Sequence, residues 1–187
     1  MKNKNRHIAK MFISLLVLQL IVYFSTCYIK NSYVYAATGY TIKGYIKPDF
    51  NFTDTKLLSD FKIQIIEAGK ITLSDSSGYF EINNIPPRPE GYSILISKTN
   101  YLSRSILNIK LDTDIVIGSA SEPIEMWVGD IPRNGVQDNC INILDFTEVG
   151  KYFNTVIGDE AYNANCDVNL DGAINMLDIS IMNKHFN

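Results

Sequence analysis

The 187-residue chain is 46% apolar and 20% charged, with a formal net charge of −3, which suits one or two small globular domains. Set aside the first 36 residues, with five basic side chains and no acid, and the balance becomes −8, which argues against a nucleic-acid partner held by a basic field. His7 and His185 are the only histidines, which argues as strongly against a Ser-His-Asp or Cys-His hydrolase and a multi-histidine zinc site.

Residues 1–10 are basic, and residues 11–29, MFISLLVLQLIVYFSTCYI, carry no charge. Val34 and Ala36 then supply small residues at the −3 and −1 positions of a cleavage site. A signal peptide over 1–36 is expected, leaving 151 exported residues. The apolar run is also long enough to span a bilayer, so an uncleaved anchor is the rival reading. Cys27 falls within the signal, leaving Cys140 and Cys166 in a compartment where disulfides persist. A bridge between them and two separate small residues both stay open.

From Tyr40 to Met126 short runs alternate with period two. Tyr40–Ile46, Phe61–Ile65, Gly78–Ile82, Tyr92–Ile96, Ser105–Ile109 and Asp114–Ile117 read as strands, with Ser74–Ser77 as turn formers. Six or seven strands at roughly ten-residue spacing predict an antiparallel β-sandwich over residues 37–128. Tyrosines and phenylalanines there fit a β core better than a sugar-stacking platform. The lone tryptophan, Trp127, is expected to pack at a junction.

Residues 129–187 change character, with nine acids against Arg133, Lys151 and Lys184. Asp167-Val168-Asn169-Leu170-Asp171-Gly172, followed five residues on by Asp178, matches the EF-hand loop except for Asp at position 12. Side-chain oxygens of Asp167, Asn169, Asp171, Asn175 and Asp178, with the Ala173 carbonyl, would surround a calcium ion, and Gly172 permits the sharp turn. Ile174 at position 8 should point into the core, with a helix after it.

The motif is duplicated. Residues 138–154 align without gaps on 171–187 at an offset of 33, with eight of 17 positions identical. This predicts a second loop holding calcium through Asp138, Cys140 (its carbonyl), Asn142 and Asp145. Its start is irregular. The constant offset sets Asn134 opposite Asp167, with Val136 replacing the ligand Asn169. Alternatively Asp130 is position 1 and Pro132 to Gly135 are an insertion. Asp130 is preferred because a carboxylate is the better first ligand, and this site is expected to be the weaker of two.

A duplicated 12-residue loop with one following helix, and no helix before it, resembles dockerin. The stretches Gly44–Phe50, Ser77–Ile82 and Ile124–Asp130 resemble the X module that precedes type II dockerins in cellulosomal scaffoldins. The resemblance implies an Ig-like or carboxypeptidase-regulatory-like β-sandwich X module joined to a small all-α dockerin over 129–187. It implies a secreted, non-catalytic adaptor whose calcium-loaded dockerin binds a cohesin, assembling or anchoring a polysaccharide-degrading complex at the cell surface. Recognition would fall on Ile143, Leu144, Met176 and Leu177, at positions 10 and 11 of the loops, and on helix residues Val149, Tyr152, Met182 and His185. The apolar pairs favour the type II class. A carbohydrate-binding β module carried by a dockerin is the competing reading.

Overall fold

The computed structural model describes residues 39–186. The expected signal segment lies outside the described residues. Among the described residues no helix is long and apolar enough to cross a membrane.

Strand β1 (Tyr40–Pro48) is the hub of the β body. It pairs antiparallel with β4 (Tyr79–Ile85), and on its other edge takes two strands in succession, both parallel: β8 (Ile115–Ile117) and β9 (Ile124–Met126). This corrects the expectation of a purely antiparallel arrangement. Period-two patterning identifies strands but not which neighbour a strand joins after a long connection. Ile42 and Ile46 of β1 point into the core. Gly44 between them has a packing reason, because a Cβ there would lie 1.9 Å from the Ile117 carbonyl oxygen.

The second sheet has the order β3 (Lys70–Leu73), β2 (Lys62–Ile65), β5 (Tyr92–Ser97), β7 (Arg104–Ile109), antiparallel throughout. Strand β3 is not among the expected strands; its four residues run directly into the Ser74–Ser77 turn formers. Ile63, Ile65, Ile94 and Ile96 face inward against Phe61, Phe80 and Ile82 in one buried cluster. A short ribbon pairs β6 (Asn100–Tyr101) with β10 (Val128–Asp130), and all three β10 residues are buried. The chain passes from β10 straight into the acidic region.

That region holds two eight-residue helices, α1 (Ile143–Gly150) and α2 (Met176–Asn183). Each begins with an Asn N-cap: Asn142 Oδ1 accepts the Leu144 N–H at 2.8 Å, and Asn175 Oδ1 accepts the Leu177 N–H at 2.7 Å. Asp145 and Asp178 reach back to accept the cap N–H groups, closing two capping boxes. Val149, Cys166, Val168, Ile174 and Met182 join the same buried cluster as the β body, so the core runs unbroken from sheet to helices. Cys140 is exposed and Cys166 buried, and both thiols are free; no bridge forms.

Candidate metal centre and partner surface

In the loop from Asp167 to Asp178, the backbone wraps around carboxylates. Asp167 Oδ1 accepts the Asp171 N–H (3.2 Å), and its Oδ2 accepts the Gly172 N–H (2.9 Å) and the Tyr162 hydroxyl (2.6 Å). Asp171 Oδ1 accepts the Ala173 N–H at 2.9 Å, and Asp178 Oδ1 accepts the Val168 N–H at 2.9 Å. Gly172 has φ +89°, the left-handed conformation in which glycine carries no Cβ penalty. Ile174 is fully buried. Residues 154–157 run alongside, with Ile157 N–H donating to the Gly172 carbonyl and Asn154 N–H to that of Ile174, both at 2.8 Å.

The other loop repeats this bonding nearly atom for atom. Ile131 N–H donates to Asp145 Oδ1 (2.9 Å) as Val168 does to Asp178. Asn139 N–H donates to Asp130 Oδ2 (3.0 Å) as Gly172 does to Asp167, and Cys140 N–H to Asp138 Oδ1 (3.0 Å) as Ala173 does to Asp171. Asp130 therefore stands where Asp167 stands. The extra residues fold into a tight hairpin in which Arg133 and Val136 exchange backbone hydrogen bonds (2.9 and 3.0 Å). Asn134 (φ +53°) and Gly135 (φ +79°) form its turn, as expected of an Asn-Gly type I′ pair. Asn134 lies at that tip, away from the position its constant offset suggested. Val136 is exposed and offers no ligand.

Burial raises the carboxyl groups of Asp130, Asp145 and Asp178 above the usual range, and neighbouring acids add to the rise: Asp145 and Asp138 for Asp130, Asp167 for Asp178. Asp130 Oδ1 is buried without a hydrogen-bond partner. Crowded, desolvated carboxylates with a spare oxygen are what a hard cation such as calcium relieves. Among the described residues, no three His, Cys, Asp or Glu side chains gather closely enough to hold a metal by themselves. A cation here would also need the amide oxygens of Asn142, Asn169 or Asn175 and the carbonyls of Cys140 and Ala173. On these donors, the residues fit calcium better than a softer metal.

The family model for the dockerin type I domain matches residues 134–187. A chain from the crystal structure of a C-terminal-interface mutant of a type II cohesin–X–dockerin complex of Acetivibrio cellulolyticus superimposes with a TM-score of 0.77 at 39% identity, covering 80% of this chain and 96% of that one. The chain belongs to the X module–dockerin family. The N-terminal-interface mutant of the same complex matches this X–dockerin chain equally well. Cellulosomal-scaffolding proteins B and A of Acetivibrio thermocellus are each 42% identical to it over 151 residues. That is 79% of this X–dockerin chain but 19% and 8% of those proteins, so it spans a small part of its curated relatives.

In the dockerin part, Ile143 (64% exposed), Met176 (65%), Leu144 and Leu177 stand in solvent at equivalent places of the two repeats. Tyr152 is half-buried. Two expected partner residues are corrected: Val149 and Met182 are fully buried, because the helices turn these faces onto the shared core. A third, His185, is committed elsewhere. It is hydrogen-bonded to the Asp49 carboxylate at the end of β1 and stacks on the Trp127 ring at 4.2 Å and 5°. Lys184 Nζ also reaches Asp49, 3.0 Å from its carboxylate and 2.6 Å from its carbonyl. Trp127 thus packs at a junction as expected, though half of it is exposed. No sequence signal links Asp49 to residues 135 and 136 positions away. In the X module, Tyr92 and Tyr101 are buried, and Tyr45 and Tyr79 lie tilted by 56°, not coplanar as a sugar platform needs.

Proposed function

We propose that this chain is a non-catalytic docking unit whose dockerin, loaded with calcium, binds a cohesin module of type II. The observation that carries this reading is the pair of exposed apolar steps, Ile143-Leu144 and Met176-Leu177, at matching places in two carboxylate-lined loops. It is supported by the likeness to a chain of a type II cohesin–X–dockerin complex. Two calcium ions are read: one held by Asp167, Asn169, Asp171, Asn175, Asp178 and the Ala173 carbonyl, the other, weaker, by Asp130, Asp138, Asn142, Asp145 and the Cys140 carbonyl. Bound calcium would neutralise the carboxylates and lock each loop. The capping boxes then fix the first turn of α1 and α2, so the exposed pairs are presented on rigid elements.

The remaining assignments belong to the same reading: an Ig-like sandwich X module over 37–128, a dockerin over 129–187, and a signal peptide over 1–36 that sends the chain outside the cell. There the cohesin would bring it into a cellulosome-type, polysaccharide-degrading assembly at the cell surface. The Asp49–Lys184–His185–Trp127 cluster and the β6–β10 ribbon would make X module and dockerin act as one body. Pull-down of the protein on a panel of type I and type II cohesins, with calcium and with chelator, tests this. Capture by type II cohesins in calcium alone is expected. Capture by none, with calcium bound, would overturn it.

A further inference from the structure

The two loops treat equivalent carboxylates differently. Asp171 and Asp138 each accept the N–H two residues ahead through Oδ1. At Oδ2 they part. Asp171 accepts the neutral side-chain amide of Asn169 at 2.9 Å, whereas Asp138 accepts the guanidinium of Arg133, also at 2.9 Å. Arg133 comes from the four-residue insertion, and its backbone is pinned by the hairpin with Val136. Gln137 adds a further donor, its Nε2 reaching Asp130 Oδ2 at 3.2 Å. The opposite oxygen, Asp130 Oδ1, stays buried and unpartnered, so a place for a cation is kept.

We infer that Arg133 sets the calcium affinity of the first loop by acting as its built-in counter-ion. This rests on the calcium reading above and goes beyond it. Calcium entering this loop must take Asp138 from a cation already on it, or bind beside that positive charge. Either way it binds more weakly than the loop's own ligands would allow. In return, part of the loop's negative charge is neutralised when calcium is scarce. The second loop has no such cation, and its lysine-free, arginine-free span from Asp167 to Asp178 depends on the metal alone. The pair is about one-third exposed on each side, so its removal should change affinity by about fivefold, the upper end for an exposed ion pair.

Each loop can be read separately by nuclear magnetic resonance during a calcium titration, because the stronger second loop is expected to fill first and hold the helical part folded while the first fills. The Asn139 and Gly172 amides donate to Asp130 and Asp167, so each reports its own loop. In Arg133→Gln the Asn139 midpoint should move to about fivefold lower free calcium, with the Gly172 midpoint unchanged. Arg133→Lys, which keeps the charge, should move it less. An Asn139 midpoint that stays put or moves to higher calcium in Arg133→Gln, or an equal shift in Arg133→Lys, overturns the inference while leaving the calcium reading intact. No response of either amide in the unaltered protein would remove that reading, and the inference with it.

Discussion

Replacing Asp49 by Asn tests whether the sheet and the end of the second helix are held together by charge. Asn is nearly isosteric and keeps an acceptor, so the packing of a side chain only 2% exposed is preserved and the carboxylate charge is what disappears. The Lys184 ion pair becomes a hydrogen bond from the ammonium to a neutral amide and the His185 contact loses its charged acceptor, each weakened by about 1 kcal/mol. Lys184 is 54% exposed, so its share falls toward the surface value of about 0.2–1 kcal/mol. The lost stabilisation should be about 1–2 kcal/mol, which in a domain of this size lowers the melting temperature by about 2–8 °C. Thermal and urea unfolding in saturating calcium measures it. Trp127 emission gives a local readout, because the ring stacks on His185 and should report loosening before the global transition. An Asp49→Asn protein of unchanged or higher stability would refute the reasoning, showing that desolvating the carboxylate costs as much as its partners return.

Chelation should unfold the helical part, since its buried carboxylates would repel one another without metal, and circular dichroism retaining full helix content in chelator would contradict this. Asp178→Ala should weaken calcium binding more than Asp130→Ala, as calorimetry would show, because the first loop already lacks the ligand that Asn169 supplies to the second. Met176→Asp with Leu177→Asp should cost about 2 kcal/mol or more in cohesin affinity while leaving calcium binding intact; comparison with Ile143→Asp shows which repeat dominates. Burial lowers the Lys98 ammonium to about 8 while its Nζ donates to the Leu57 and Ser59 carbonyls. Between that value and its ordinary 10.5 the unfolded chain holds the proton that the folded one has lost, so this residue's contribution to stability rises with pH across that window. A Lys98 side-chain resonance titrating near 10.5 would count against it.

Much of the site was legible because its information is local. A 12-residue loop marks its spaced carboxylates and their turn by pattern, and the repeat at offset 33 marks the second copy. The insertion over Pro132 to Gly135 was legible from the preference for Asp130 as first residue, but its hairpin form, turned at Asn134-Gly135, was not read from the sequence. Six of the strands followed from period-two runs. What escaped depends on distant partners. The parallel seating of β8 and β9 on β1 leaves no trace in either strand alone. Val149 and Met182 were assigned to the outer surface because a short helix with apolar residues on several sides does not say which side faces the sheet. The meeting of Asp49 with Lys184 and His185 joins residues that nothing local relates.

The seating of β1 has a consequence for how the chain folds. Its partners lie at residues 79–85, 115–117 and 124–126, and Asp49 meets residues 184 and 185. Closing such long loops precedes the reward of pairing and slows folding, whereas each loop and helix of the repeat spans only 21 or 17 residues, Asp130 to Gly150 and Asp167 to Asn183. During synthesis, β1, the first described strand to be made, therefore waits until residue 126 for its last partner. Until residue 117 has emerged, β1 can pair only with β4, and its other edge stays open along Ile42 to Pro48; from there to residue 126 it stays open along Ile46 to Pro48. An open apolar edge of this kind recruits strands from other chains. The stage most exposed to aggregation is thus a chain stalled between β7 and β8, well before the loop carboxylates from Asp130 to Asp178 exist.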